Sequence, residues 1–157
     1  TVFKFGDKYY YLCAIIDLLK DYFYRISKNS SMQLLTNAFK QAYSKRKPKK
    51  GLMFHSDRET QYMSYAFVHL LEDFGVKQSF SRTARPHDNA VAEAFFSILK
   101  KEELYRRHYT SEVDLIRSIH QFIDFYNNER PHSTIQYKTP EQKEQEYWDK
   151  NKESSLE

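Results

Sequence analysis

At 157 residues the chain is the size of one domain with a buried core. Hydrophobic residues make up 40% and aromatics 17%, with 13 Tyr and 12 Phe against 3 Gly and 4 Pro, which excludes a disordered or collagen-like chain. Twenty-five Lys and Arg against 21 Asp and Glu leave a net charge of +4, a mild excess that suits a polyanionic partner without requiring one.

Thr1 to Phe5 alternates in the manner of a strand, Gly6-Asp7 supplies turn chemistry, and Lys8 to Ile16 is an aromatic and β-branched run, so the opening reads as a hairpin. Its longest apolar stretch, Leu12 to Ile16, is far short of a membrane span. Tyr22 to Ile26 reads as a third strand. Ser30 or Ser31 can cap a helix whose Leu34, Leu35, Ala38, Phe39 and Ala42 recur at helical spacing. Leu52 to Phe54 reads as a short buried strand that delivers His55-Ser56-Asp57 at its carboxyl end. A helix with Phe67, Leu70, Leu71 and Phe74 stops at Gly75, and Val76 to Ser81 reads as another strand. Arg82 to Asp88 reads as a loop, and Ala90 to about Tyr105 as a helix. Ser111 with Asp114 forms a variant capping box ahead of a long amphipathic helix broken at Pro131.

Three strands, then alternating helices and strands, then helices imply an α/β fold with a mixed sheet and helices on both faces. One core domain over 1–150 is expected, followed by a frayed tail over 151–157 in which Leu156-Glu157 resembles a vector scar. The start at Thr1 without an initiator Met reads as a fragment or processed product. Cys13, the single cysteine, offers no internal disulfide and no thiolate zinc site, and no signal peptide precedes it, so a reducing, cytoplasmic setting is expected.

Asp57 stands where a buried strand ends, the usual edge for functional groups in α/β sheets, although a turn-forming Asp would look the same. Glu93 lies on a helix whose apolar residues Phe95, Phe96, Ile98 and Leu99 face the core. At about 100° per residue, Ser97 and Lys100 fall on the polar stripe of Glu93. An exposed Glu and Lys on a solvated helix would show the same wheel. Phosphodiester chemistry gives a strand-end Asp and a helix-borne Glu a reason to converge: two divalent ions, roughly 3.5 to 4 Å apart, can serve both the attacking and the leaving oxygen. Hard cations prefer carboxylate oxygens, and two carboxylates hold two ions poorly, so a third is expected.

These residues resemble a known family, the insertion-sequence transposases with a retroviral-integrase-type (DDE) catalytic core. His55-Ser56-Asp57-Arg58 with Gln61-Tyr62 is similar to the family's second-aspartate motif. Asp88-Asn89-Ala90 with Glu93, Phe96, Leu99, Lys100 and Glu102 is similar to its glutamate motif. The 35 residues between Asp57 and Glu93 match the family spacing. Tyr126-Asn127, Arg130-Pro131-His132 and Thr139-Pro140 resemble its C-terminal signature. The resemblance implies a ribonuclease H-like fold with a five-stranded sheet, three antiparallel strands and then two parallel. It further implies Asp57 and Glu93 as catalytic residues and metal ligands for two Mg²⁺ or Mn²⁺ ions. Lys100, Arg82, Arg85, Asn89 and Arg130 would contact DNA.

The partners so implied are transposon-end and target DNA and further copies of the chain in a homo-oligomer, with no membrane. The setting would be the prokaryotic cytoplasm, at the nucleoid when bound to DNA. Two departures stand out. Glu59 occupies the place of the family's usual Gly, and Thr1 aligns with the Thr of the first-aspartate motif, which puts that aspartate two residues upstream and leaves this fragment inactive. Asp17 aligns with a separate Asp at the end of the second strand.

Other features have milder readings. The Lys45 to Lys50 run, five cations in six positions, is a DNA contact or a solvated linker. His55 supports the strand end, His132 braces the last helix, and at least one of Tyr9, Tyr10 and Tyr11 is exposed or covered by a partner. Two rival functions stay open: a nuclease of the same fold that cuts without joining, and a non-catalytic DNA-binding or assembly fragment.

Overall fold

The structure, a computed structural model, describes residues 1–17, 22–81 and 89–153. The chain divides into two compact units, one of Thr1–Ala14 and Tyr24–Ser97, the other of Ile15–Phe23 and Ile98–Glu157.

The hairpin forms as expected. β1 (Val2–Phe5) pairs antiparallel with β2 (Lys8–Ile16) in the register Val2↔Tyr11 and Phe5↔Lys8. Gly6 closes the turn at φ +59, a left-handed value that costs glycine nothing. Strand alternation sends Phe3, Tyr10 and Leu12 inward, with Phe3 and Tyr10 stacked at 5.8 Å, while Tyr9 stays exposed under the Lys4 ammonium. β3 (Tyr22–Ser27) is the third strand of this sheet, in the order β1-β2-β3.

α1 (Met32–Arg46) begins at Ser31, whose hydroxyl accepts the Leu34 N–H, and buries Leu35, Ala38, Phe39 and Ala42. β4 (Met53–Ser56) and β5 (Lys77–Phe80) form a parallel ladder, Met53↔Lys77 through Ser56↔Phe80. Between them α2 (Tyr65–Asp73) is capped by Ser64 and ends at Gly75, φ +66. Phe39 is the hub of this core, with edge-on contacts to Phe54, Phe67 and Phe74 at 6.0, 6.1 and 5.4 Å. The expected three strands and then two are all present. Among the described residues they form two ladders, of three and of two strands, rather than one continuous five-stranded sheet.

α3 (Ala90–Ile98) runs directly into a π-helix, Leu99–Leu104, where the Tyr105 N–H reaches back five residues to the Lys100 carbonyl. In the second unit α4 (Glu112–Asn128) buries Leu115, Ile119, Phe122, Ile123 and Tyr126 at helical spacing. α5 (Pro140–Glu153) follows a 3₁₀ turn at Ser133–Ile135. It continues three residues into the stretch read as a tail, because Asn151 bonds the Tyr147 carbonyl and Lys150 and Lys152 favour the helix C-terminus.

Candidate active site

Asp57 emerges where the parallel ladder ends. The Ser81 N–H bonds the Ser56 carbonyl at 2.8 Å, and the buried Ser56 hydroxyl donates to the Asp57 carbonyl at 2.9 Å. Beyond that point the loop is stitched into α2. Asp57 Oδ1 accepts the Glu59 N–H at 3.1 Å, and the Glu59 carbonyl accepts the Tyr62 N–H at 2.9 Å. The Glu59 carboxylate takes the Gln61 amide at 2.8 Å, and the Gln61 carbonyl takes the hydroxyl of Ser64, the α2 cap. Asp57 thus sits half-buried on a turn whose hydrogen bonds run unbroken to a helix. Glu59 keeps an ordinary negative φ, so the family's glycine is not needed here by the backbone.

The surroundings of Asp57 are supportive. His55 spans β5, with Nδ1 at 3.1 Å from the Ser79 hydroxyl and Nε2 at 3.2 Å from that of Ser81, which leaves neither nitrogen for a metal. Arg58 reaches the Ser81 carbonyl at 3.3 Å and lies over Phe80. Burial pushes the Tyr62 hydroxyl well above its ordinary pKa, and the neighbouring Cys13, Asp57 and Glu59 push the same way. Burial also holds Cys13 as a neutral thiol, its pKa raised to about 11 against the opposing pull of the Thr1 ammonium. Beside the loop lies an open cleft of about 570 Å³, lined by Ser31 and Met32 of α1 and by Arg58, Glu59, Gln61 and Ser64.

Glu93 sits exposed in the first turn of α3, where the helix dipole favours an anion, while Phe95 on the opposite face is fully buried. Asn89, half-buried, immediately precedes that helix. Asp57 and Glu93 belong to the same compact unit. Arg82 and Arg85 lie outside the described residues. Among the described residues, no three His, Cys, Asp or Glu side chains gather at a point that could hold a metal ion, and Asp17 joins no such group.

The α-helical wheel applies through Ile98, and Lys100 follows, half-buried, as the second residue of the π-helix, whose smaller angle per residue moves it little from the stripe of Glu93. Arg130, expected at DNA, is engaged with Glu102 through two of its guanidinium nitrogens. Nη2 and Nε bond the two Glu102 carboxylate oxygens at 2.8 and 3.2 Å, and the same group lies 5.7 Å from the ring centre of buried Tyr126. The Arg130 hydrogen bonds hold the Glu102 carboxyl below the usual carboxylate range, though the pair is only partly shielded. His132 braces as expected, stacked 4.4 Å from Tyr126 with Nε2 on the Tyr126 carbonyl, and burial lowers its pKa. Sequence reasoning missed the Glu102–Arg130 pair, although opposite charges in two neighbouring motifs were the available signal.

Two family profiles described as Integrase core domain match residues 1–86 and 74–140. The transposase for insertion sequence element IS904 of Lactococcus lactis is 35% identical over 133 residues, 83% of this chain and 53% of its own length. The catalytic core domain of HTLV-2 integrase in complex with magnesium, in its trimeric form, superposes with a TM-score of 0.67 at 18% identity, covering 90% of this chain and 89% of its own. A chain of the simian T-cell lymphotropic virus intasome does so with a TM-score of 0.76 at 17% identity, covering 92% of this chain and 51% of its own. These superpositions establish a ribonuclease H-like fold. The chain spans about half the length of the curated relatives it matches. Because an integrase-core profile spans more than half of these residues, the chain belongs to the integrase core domain family, and it is similar in sequence to transposases of insertion sequence elements.

Proposed function

We propose that the chain is the part of a transposase that performs metal-dependent phosphodiester cleavage and strand transfer at transposon ends. The observation that carries this reading is Asp57. A carboxylate at the end of a parallel strand has one oxygen tied to the Glu59 N–H at 3.1 Å, which leaves the other to point at a ligand. Glu93, exposed in the first turn of α3, is the second carboxylate. Both are hard oxygen donors suited to Mg²⁺ or Mn²⁺, and the resemblance to the family motif implies a third carboxylate, an aspartate two residues ahead of Thr1. When bound, a pair of such ions activates water or a DNA 3′-hydroxyl and neutralises charge on the leaving oxygen.

The chain's own residues have simpler tasks. The hydrogen-bonded turn from Asp57 to Ser64 holds the aspartate in one orientation, and His55 fixes the end of the ladder beneath it. Lys100, Asn89, Arg82, Arg85 and Arg130 hold DNA phosphates, with Arg130 oriented by Glu102. The protein works as a homo-oligomer, as the dimeric and trimeric forms of the HTLV-2 core illustrate for that protein. No helix of the described residues is long and apolar enough to cross a membrane, in keeping with a cytoplasmic enzyme.

The test is nicking and joining of a labelled transposon-end duplex with Mn²⁺. The full-length protein should yield strand-transfer products, and Asp57→Asn and Glu93→Gln should each abolish them without altering the thermal melt. The chain beginning at Thr1 should be inert. Normal joining by Asp57→Asn would sink the assignment, and cleavage without any joined product would favour a nuclease.

A further inference from the structure

The strongest unassigned feature is the edge of the first unit opposite Asp57. Lys45 and Arg46 occupy the last turn of α1, Lys47 caps it, Lys49 and Lys50 follow, and Lys77 opens β5 beside Leu52. Lys45, Lys47, Lys49, Lys50 and Lys77 are all exposed, and among the described residues no carboxylate pairs with any of the five. The acids at this edge are Glu72 and Asp73 of α2, and Glu72 is taken by His69 at 2.9 Å.

A solvated helix end explains Lys45 and Arg46, because cations there favour the helix dipole. It does not explain the rest. Lys47 adopts φ 44 and ψ 57, a left-handed cap where glycine would be free of strain and a residue with a side chain is not. The lysines are also held on a firm base. Tyr43 bonds the Phe74 carbonyl at 3.3 Å and stacks edge-on against the Phe74 ring at 4.7 Å, which ties the end of α1 to the end of α2.

Two rulers set the distance to the candidate site. The start of α1 shares the cleft with Arg58 and Glu59, and its 15 residues cover about 22 Å at the usual rise. The five residue steps from Leu52 through β4 to Asp57 cover about 17 Å. In duplex DNA, at 3.4 Å per base pair, a span of about 17 to 22 Å is about five to seven base pairs.

We infer that this lysine edge is a second DNA-binding surface, which grips backbone phosphates about five to seven base pairs from the bond addressed by Asp57. The inference rests on the DNA-processing reading above. Contacts of this kind position the duplex and read no sequence.

The experiment is a salt titration of binding to a 24-base-pair duplex of arbitrary sequence, with the chain as it stands. Lys45, Lys47, Lys49 and Lys50 all changed to Gln should lower the slope of log affinity against log salt by about two to three units, and Lys49→Gln with Lys50→Gln alone by about one. The second variant alters only exposed positions outside any helix or strand, so it remains informative if the first misfolds. A charge-matched control, Lys4, Lys8, Lys150 and Lys152 changed to Gln, should lose less than one unit. An unchanged slope in the lysine-edge variants, or an equal loss in the control, overturns the second surface and leaves the catalytic reading standing. Failure of the unaltered chain to bind duplex at any salt overturns both. Hydroxyl-radical footprinting of the full-length protein on its own ends should show protection about five to seven base pairs from the cleaved bond that vanishes in the variant.

Discussion

Glu93 and Glu103 lie ten residues apart on one continuous helical run, and they are opposites. Glu93 is exposed in the first turn of α3, with no hydrogen bond or ion pair among the described residues. Glu103, in the π-helix, is 4% exposed. Its carboxylate accepts the Ser118 hydroxyl and the Tyr109 hydroxyl, the latter at 3.1 Å, and lies 3.4 Å from Arg107 Nε. Arg107 in turn bonds Ser118 at 2.8 Å. Burial, with the adjacent Glu103 charge, pushes the Tyr109 hydroxyl well up and keeps it a donor. A buried carboxylate with both oxygens engaged is part of the scaffold, whereas one left open to solvent on a rigid helix is available for a ligand.

The comparison breaks most readily at Glu103. Glu103→Ala leaves the buried Ser118 hydroxyl and the half-buried Tyr109 hydroxyl without their acceptor and releases exposed Arg107 to solvent, and should cost about 2 kcal/mol, the scale for leaving buried polar groups unsatisfied. Glu93→Ala should stay within about 0.5 kcal/mol, as exposed substitutions do. Urea unfolding followed by the fluorescence of Trp148, the single tryptophan, reports on this unit directly. A loss for Glu93→Ala comparable to that of Glu103→Ala would erase the distinction.

The Glu102–Arg130 pair lies between these extremes, with side chains 37% and 23% exposed. Arg130→Gln and Glu102→Gln should each cost about 1 kcal/mol, and the double-mutant cycle should return a coupling of about 0.5 to 1 kcal/mol. A coupling of zero would mean that Glu102 does not hold Arg130 in place.

The smallest effect is on pH dependence. His132 has a folded pKa below its ordinary value, so the unfolded chain takes up the proton first and stability falls as pH drops below about 6.5. Glu102, depressed chiefly by its Arg130 hydrogen bonds, contributes stability that is present above about 4.3 and lost on further acidification. Melting temperatures between pH 7.5 and 4 should therefore decline in two stages, and His132→Phe should remove the first. A first stage that survives in His132→Phe belongs to another group.

Much of the local structure was legible because caps and periodicity are local signals. Ser31 and Ser111 cap where expected, Gly75 ends α2, and β2 keeps its predicted limits. The capping box differs in detail: the Asp114 carboxylate reaches the N–H of Thr110, one residue before the cap. β4 begins at Met53 rather than Leu52 and runs on through Ser56, since its limits follow from the ladder to β5 and not from its own hydrophobicity. Spacing alone singled out Asp57 and Glu93, but the turn that orients Asp57 depends on where Glu59, Gln61 and Ser64 meet in space. The π-helix left no trace in composition, because Leu99 to Leu104 reads as ordinary helix and only the partners of Glu102 and Glu103 select the wider winding.

That winding bears on which length changes the chain can absorb. A π-helix closes its hydrogen bonds one residue farther along than an α-helix, so deleting a single residue between Leu99 and Leu104 lets the segment rewind as α-helix without breaking the rod. Everything before the deletion, Glu93 included, keeps its register with the first unit. The residues around Glu102 and Glu103 would then take one step fewer but a larger angle at each, which leaves them close to the face that meets Arg130 and Ser118. A one-residue deletion in this stretch is therefore far better absorbed than one inside α4, where every following residue would turn by about 100°.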